Sequence, residues 1–489
     1  LRSKSRMKND FAFFNRAEVR AYNVPVFDKD FIAPVREDVP DKKGWLDKFP
    51  LSRRRALWEA LVSHLQQLPS HVERRGVDPN RQGEWLQEYG EVSLFVKTEL
   101  APNGEPYPGG PENANPRAVN APHDMAHHFV GRYFRKASAI LHKMWHANHT
   151  IFYTGGATPE QMDSWINRYG KENGSLKGRF FDHRIVLTDY TSYDCTQSMM
   201  SLHFAERIYR RWGIQDQMFW KVLESWRQPT GRTCNGGRFR AQPMMCTGRD
   251  DTALMNAILN ATAQYCSWSK VLLGVYPEEA SDEDLEWLDH ELRVAVLGDD
   301  SIVFAPRLKR NHEPWELDEV VAAIADFGFE AKMKAVDNIF EAVFLGCRPY
   351  PSATGLSWGP TLGRRLFKHH TVPYKPGMDA YAWLRGVSEA ESIQFPHVPI
   401  LREIAEKVNE LLQGHSMTPF VPTEGRWVEH REVSVVPCEN QYIYKCLAVV
   451  YGITRSDMEE FYRLLSQVKT LPVVLNCRAV DLCLEIDEL

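Results

Sequence analysis

Residues 292–304 read as two short apolar strands joined by Gly298-Asp299-Asp300, a hairpin that carries two adjacent carboxylates at its tip. Glycine permits a tight turn without side-chain bulk. Two neighbouring acids at a strand turn are costly unless solvent or cations offset them. Magnesium answers that cost, because it takes carboxylate oxygens together with substrate phosphates. A further carboxylate from a neighbouring strand is the natural partner. Asp189 supplies it, at the end of the buried run Arg-Ile-Val-Leu-Thr over residues 184–188. Two strand ends bearing Asp189 and Asp299 can hold two ions about 3.5 to 4 Å apart. Asp300 would assist that site rather than bridge both ions, and manganese is a plausible chemical substitute for magnesium.

A second group of residues points to a sugar. Thr247-Gly248-x3-Thr252-x3-Asn256 sets a flexible glycine before a helix expected over residues 251–270 and puts Thr252 and Asn256 on one helical face. Both side chains can donate hydrogen bonds. Asp194, five residues after Asp189, stands beyond the strand end, where it can accept from a ribose 2′-hydroxyl while Thr252 and Asn256 orient it.

In this order and spacing, Asp189-x4-Asp194, Thr247-Gly248-x3-Thr252-x3-Asn256 and Gly298-Asp299-Asp300 resemble the A, B and C motifs of viral RNA-dependent RNA polymerases. Phe95-Val96-Lys97-Thr98-Glu99 followed by Asn115-Pro116-Arg117 resembles the basic motif that lines the nucleotide entry path, so Lys97 and Arg117 would hold the triphosphate. The stretch between them has no other basic residue, and Lys177 or Arg179 would complete the grip. Residues 328–334 resemble the motif D turn, and Phe344-Leu345-Gly346 resembles the motif E strand that supports a primer end. Motif D offers Lys332 and Lys334, expected on opposite faces of a strand, and Lys334 is the expected general acid for pyrophosphate. The likeness covers about residues 90–350 and is similar to nodavirus-like and tombusvirus-like enzymes of positive-strand viruses.

The resemblance implies an α+β right-hand polymerase with an antiparallel palm sheet, fingers and a helical thumb. Its expected divisions are 1–180 (N-terminal extension and fingers), 181–214 (palm, motif A), 215–240 (fingers insertion), 241–350 (palm, motifs B to E) and 351–489 (thumb). Gly248 and Gly298 would lie at the template and primer. It also implies magnesium, template RNA, nascent RNA, nucleoside triphosphates and other viral replication proteins as partners. The setting would be the host cytoplasm, at membrane-associated replication complexes reached through another region or chain. Rival readings differ at these residues. A reverse transcriptase shares the palm acids but would carry a bulky aromatic near where Asp194 stands, a non-catalytic RNA-binding scaffold would have no need of intact metal acids, and a metal-dependent phosphohydrolase would have no use for Thr252, Asn256, Lys97 or Arg117.

Composition narrows the rest. The chain has 489 residues, 43% of them hydrophobic, so two to four subdomains are expected. Its apolar runs fall far short of the roughly 20 residues that span a bilayer. Nine cysteines without a C-x-x-C pair fit neither a disulfide framework nor a structural zinc site. A net charge of -5 argues for a local basic channel rather than a generally basic surface. Residues 101–122, with six prolines and three glycines, are expected to form a long loop.

Helices are also expected over residues 196–212 and 314–327, and residues 342–350 should be extended. Leu401, Ile404, Val408 and Leu411 share a helix face, and Ser456 with Glu459 spells a capping box. His123-x3-His127 has zinc-protease spacing, but Asp124 replaces the glutamate that would act as base. Cys195 and the aromatic segment over residues 212–226 read as packing. Gly363-Arg364-Arg365 with Lys368 fits either contact with exiting RNA or a solvated turn.

Overall fold

The computed structural model describes residues 54–55, 57–59, 91–96, 118–170, 183–233, 236–369, 379–417, 435–438 and 440–487. Lys97, Arg117, Lys177 and Arg179 lie outside the described residues.

Among the described residues, helices combine with three sheets, an α+β arrangement. Strands β1 (Glu91–Val96) and β2 (Ala118–Pro122) lead to helix α1 (Asp124–Met144), strand β3 (Ile151–Tyr153) and helix α2 (Pro159–Gly170). Strand β4 (His183–Tyr190) is followed by the short helix α3 (Tyr193–Thr196), helices α4 (Met199–Arg211) and α5 (Gln217–Ser225), and strands β5 (Thr230–Thr233) and β6 (Arg238–Arg240). Helix α6 (Thr252–Leu273) and helix α7 (Asp282–Glu291) precede the hairpin of β7 (Arg293–Leu297) and β8 (Asp300–Pro306). Helix α8 (Leu317–Ala325), strand β9 (Ala331–Val336) and the pair β10 (Cys347–Ser352) and β11 (Gly355–Pro360) follow. Among the described residues, the elements after β11 are helices: α9 (Leu362–His369), α10 (Ala380–Gln394), α11 (Leu401–Leu411), α12 (Asn440–Tyr451), α13 (Arg455–Gln467) and α14 (Arg478–Asp487).

The central sheet has the order β3-β7-β8-β4-β9. All its pairings are antiparallel except β3 with β7, so the expected antiparallel sheet gains a parallel edge. Side chains alternate between its faces. Val186, Val294, Val296, Val303 and Ala305 join a core with α1, α4, α5, α6 and α8. Ile185, Ala295, Ile302 and Phe304 join a second core with α2, β10, β11 and helices α11 to α14. Each valine, isoleucine or phenylalanine among them contributes about 1.5–3 kcal/mol when fully buried. That two-sided burial fixes the register, because a one-residue slip would exchange the two faces.

Several local expectations need correction. Residues 118–122 are a strand paired with β1, not loop, and Pro122 is tolerated because it ends the strand. The helix expected over 196–212 begins only at Met199, where Ser198 caps it and exchanges hydrogen bonds with Ser201. The helix expected over 314–327 is Leu317–Ala325, since Pro314 instead bridges Leu308. Within residues 342–350 the chain turns at Leu345 and Gly346, both at positive φ, before β10 begins at Cys347. On α11, Leu401, Ile404 and Val408 are buried while Leu411 is only half-buried. The capping box of α13 is Thr454 with Asp457, two residues earlier than expected. Among the described residues no helix is long and apolar enough to cross a membrane.

Candidate active site

Strand register brings the expected acids together. Thr188 of β4 lies opposite Ser301 of β8, so one step further along Asp189 stands against Asp300. Leu297 pairs with Asp300, which leaves Gly298 and Asp299 as a two-residue turn. Gly298 has a φ of 63°, the left-handed conformation that glycine adopts without strain at the first position of such a turn. Asp189, Asp299 and Asp300 are all exposed. Burial raises the hydroxyl pKa of Tyr190 and, more strongly, that of Tyr193, and the nearby Asp299 charge pushes both in the same direction.

Among the described residues no three His, Cys, Asp or Glu side chains converge closely enough to ligate one ion together. Like charges at the water's edge lower their energy by spreading into solvent. Magnesium needs only one or two carboxylates when waters and phosphates complete its shell. Asp189, Asp299 and Asp300 offer carboxylate oxygens, the donor type that magnesium and manganese take, and all three are exposed near one sheet end.

Helix α6 packs behind these strands and is buried along nearly its whole length. Its sequence Thr-Ala-Leu-Met favours a helix, and Gly274 at φ 80° ends it. Through the apolar surface runs a polar stripe at four-residue spacing, formed by Asn256, Asn260 and Gln264 and ending on Trp268. Asn260 Nδ2 donates to the carbonyl of Asp299 at 2.9 Å and to those of Gly298 and Asp300 at 3.3 Å each. Its Oδ1 accepts from the Tyr190 hydroxyl at 2.9 Å. Gln264 Nε2 donates to Thr188 Oγ1 and the Tyr190 hydroxyl at 3.1 Å and to Ser301 Oγ at 3.2 Å. Trp268 Nε1 donates to Gln264 Oε1 at 3.1 Å. Sequence reasoning missed Asn260 and Gln264. Their signal was the four-residue recurrence of amides on an otherwise apolar helix.

Asp194 is held from two sides. Asn256 Nδ2 donates to its Oδ1 at 2.7 Å, and Thr247 Oγ1 donates to its Oδ2 at 2.8 Å. Gln197 Nε2 donates to Asn256 Oδ1 at 2.5 Å and thereby fixes the amide's orientation. Thr252 does not orient Asp194 as expected. Its hydroxyl donates to the carbonyls of Cys246 at 2.8 Å and Arg249 at 3.0 Å, because a threonine in the first helical turn finds backbone acceptors closer at hand.

The loop over residues 247–251 is stapled rather than free. Gly248 donates its N–H to the Asn120 carbonyl at 3.1 Å. An added Cβ there would lie 2.7 Å from that oxygen and 2.9 Å from Ala121 Cα, so glycine serves close backbone approach. His127 Nδ1 lies 2.6 Å from Asp250 Oδ2. His123 caps α1, with Nδ1 accepting from the Met125 N–H at 3.1 Å. The two histidines thus do different work. Arg249 grips Asp251 with two bonds of 2.8 and 2.7 Å in the interior, and the Tyr209 hydroxyl donates to the same carboxylate at 2.7 Å.

Lys332 and Lys334 are both exposed on the same face of β9, contrary to expectation. Strand alternation separates adjacent residues, and residues two apart return to one side. Register distinguishes them instead: Lys332 lies opposite Asp189, and Lys334 opposite Leu187. Cys195 is exposed, not packed, and burial followed by the Asp194 charge raises its thiol pKa, which disfavours a thiolate nucleophile. Trp212 and Trp226 are core residues, as expected. Arg365 is neither a solvated turn residue nor open to RNA, since it is buried against Glu391. No family model matches the chain, and no curated protein is similar to it.

Proposed function

We propose that this chain is a template-directed RNA polymerase of right-hand architecture, whose central sheet is the palm and which extends an RNA 3′-hydroxyl with nucleoside triphosphates. The observation that carries the reading is the meeting of Asp189 with the Asp299–Asp300 turn at an open sheet end, beside an Asp194 carboxylate oriented by Asn256. Asn256 and Asn260 lie one helical turn apart, about 6 Å at 1.5 Å rise per residue, so the sugar reader and the acid-bearing turn hang on one rigid rod.

In this reading Asp194 accepts a hydrogen bond from the ribose 2′-hydroxyl of the incoming nucleotide, and Asn256 holds the carboxylate in place. A deoxynucleotide leaves that acceptor unmatched, which is the basis of sugar choice. Two magnesium ions held by Asp189, Asp299 and Asp300 would supply activation of the attacking hydroxyl and neutralisation of the leaving pyrophosphate. Lys332, beside Asp189 in register, is better set than Lys334 to give a proton to pyrophosphate. Positioning and electrostatics, rather than covalent chemistry, carry the catalysis.

Primer extension on an annealed RNA template with magnesium tests the proposal, comparing ribonucleotides with deoxynucleotides beside an Asp299→Ala control. Templated ribonucleotide addition that disappears in the control is expected. A preference for deoxynucleotides would turn the reading to reverse transcription, and absence of addition under magnesium and manganese would sink it in favour of an RNA-binding scaffold.

A further inference from the structure

The metal acids stand on two different chain segments, and the fold must fix their separation. Backbone pairing sets it only coarsely, because Asp299 belongs to the turn and has no cross-strand partner of its own. Asn260 spans the gap. Its amide nitrogen gathers the carbonyls of Gly298, Asp299 and Asp300, and its amide oxygen takes the hydroxyl of Tyr190, the residue next to Asp189. Asn260 is fully buried, and its bonds to the Gly298 carbonyl and the Tyr190 hydroxyl are buried with it, while those to the Asp299 and Asp300 carbonyls are partly buried. Gln264, one turn on, holds the Tyr190 hydroxyl and both Thr188 and Ser301, which keeps the tyrosine aimed at Asn260.

We infer that Asn260 is a positioning residue that sets the distance between the Asp189 and Asp299 carboxylates, with Tyr190 as its anchor. The inference rests on the polymerase reading and goes beyond it by assigning the spacing of the acids to a side chain that touches neither substrate nor metal. Carbonyl oxygens drawn together on one donor cannot rotate outward, so the turn keeps one conformation. Without the donor, the carbonyls of residues 298–300 lose the shared bond that gathers them, and the turn gains alternatives in which Asp299 is misplaced.

The test uses Asn260→Asp, which keeps size but removes the amide donor, and Tyr190→Phe, which removes only the anchoring hydroxyl. Two measurements are made on the full chain: the magnesium concentration that half-saturates templated addition, and hydrogen exchange of the peptide containing residues 298–300 without metal. Asn260→Asp should raise half-saturating magnesium by about tenfold and Tyr190→Phe by about threefold, with nucleotide KM unchanged and faster exchange at the turn in both. An unchanged magnesium requirement, or unchanged exchange at the turn, would overturn the inference. So would an equal rise in nucleotide KM, which marks general disruption. If Asn260→Asp does not fold, Tyr190→Phe decides alone. If wild-type protein adds no nucleotide, the polymerase reading fails, while hydrogen exchange still decides whether Asn260 clamps the turn.

Discussion

Between helices α9 and α10, Glu391 is enclosed completely, with Arg365 Nε at 2.5 Å from one carboxylate oxygen and His369 bonded to the other. At the hairpin end of the central sheet, Asp189, Asp299 and Asp300 are exposed. A charge removed from solvent must be matched by the chain itself, because an uncompensated one costs several kcal/mol. Burial pushes the Glu391 pKa up, but His369 and Arg365 outweigh it and leave the value lowered. Asp299 and Asp300 are neighbours at the β7–β8 hairpin and Asp189 stands at the end of β4, so three like charges share one sheet end without being enclosed. The enclosed triad is complete as it stands, whereas the proposed function gives the exposed acids a partner, magnesium, that would arrive with substrate.

That contrast can be broken most easily at its two extremes. Asp299→Ala should lower templated addition by at least about a thousandfold with no fall in melting temperature, read by extension assays beside calorimetry. A large loss of stability would mean that the acid belongs to the fold after all. Arg365→Ala should do the reverse, costing about 3–5 kcal/mol of stability by denaturant unfolding, since it strands a buried carboxylate. The sign of the pH effect follows from the same cluster. A lowered glutamate pKa gives stability that is present above the ordinary glutamate range and lost as pH falls through the lowered value. Glu391→Gln should flatten that acid limb of the melting curve, and an unaltered limb would assign it to other groups.

Smaller effects sharpen the functional side of the comparison. Asn256→Ala should narrow the preference for ribonucleotides by about tenfold, while Thr252→Ala, whose hydroxyl holds only backbone, should leave the ratio unmoved. Equal narrowing in both would show that the whole loop, not Asp194, reads the sugar. Lys332→Leu should slow single-nucleotide addition more than Lys334→Leu, and the opposite order would restore Lys334 as the proton donor.

The sequence made the hairpin, the buried strand before Asp189 and helix α6 legible, because a strong apolar pattern meets a punctuating residue such as Gly298 in the hairpin or Gly248 ahead of the helix. What it concealed depended on three-dimensional choice among equivalent partners. Thr247 and Thr252 are both hydroxyl donors near Asp194, and only the path of the loop decides that the first reaches it. Arg365 looked like surface charge because its partner, Glu391, lies on another helix. Asn260 was overlooked since its amide donates to backbone carbonyls, which carry no residue signature, and its side-chain partner Tyr190 lies on a distant strand.

Gly248 has a mechanical meaning for the whole molecule. Its N–H bond to the Asn120 carbonyl, at a clearance too small for a methyl group, joins the approach to helix α6 directly to β2. Strands β1 and β2 bracket, in the chain, the segment bearing Lys97 and Arg117. β1 pairs with both β2 and β5, so a push at residue 248 would be felt across that entire four-stranded sheet. The approach to helix α6 and that sheet are thus joined where residue 248 lies against Asn120, Ala121 and Pro122, so a side chain added there would press on both.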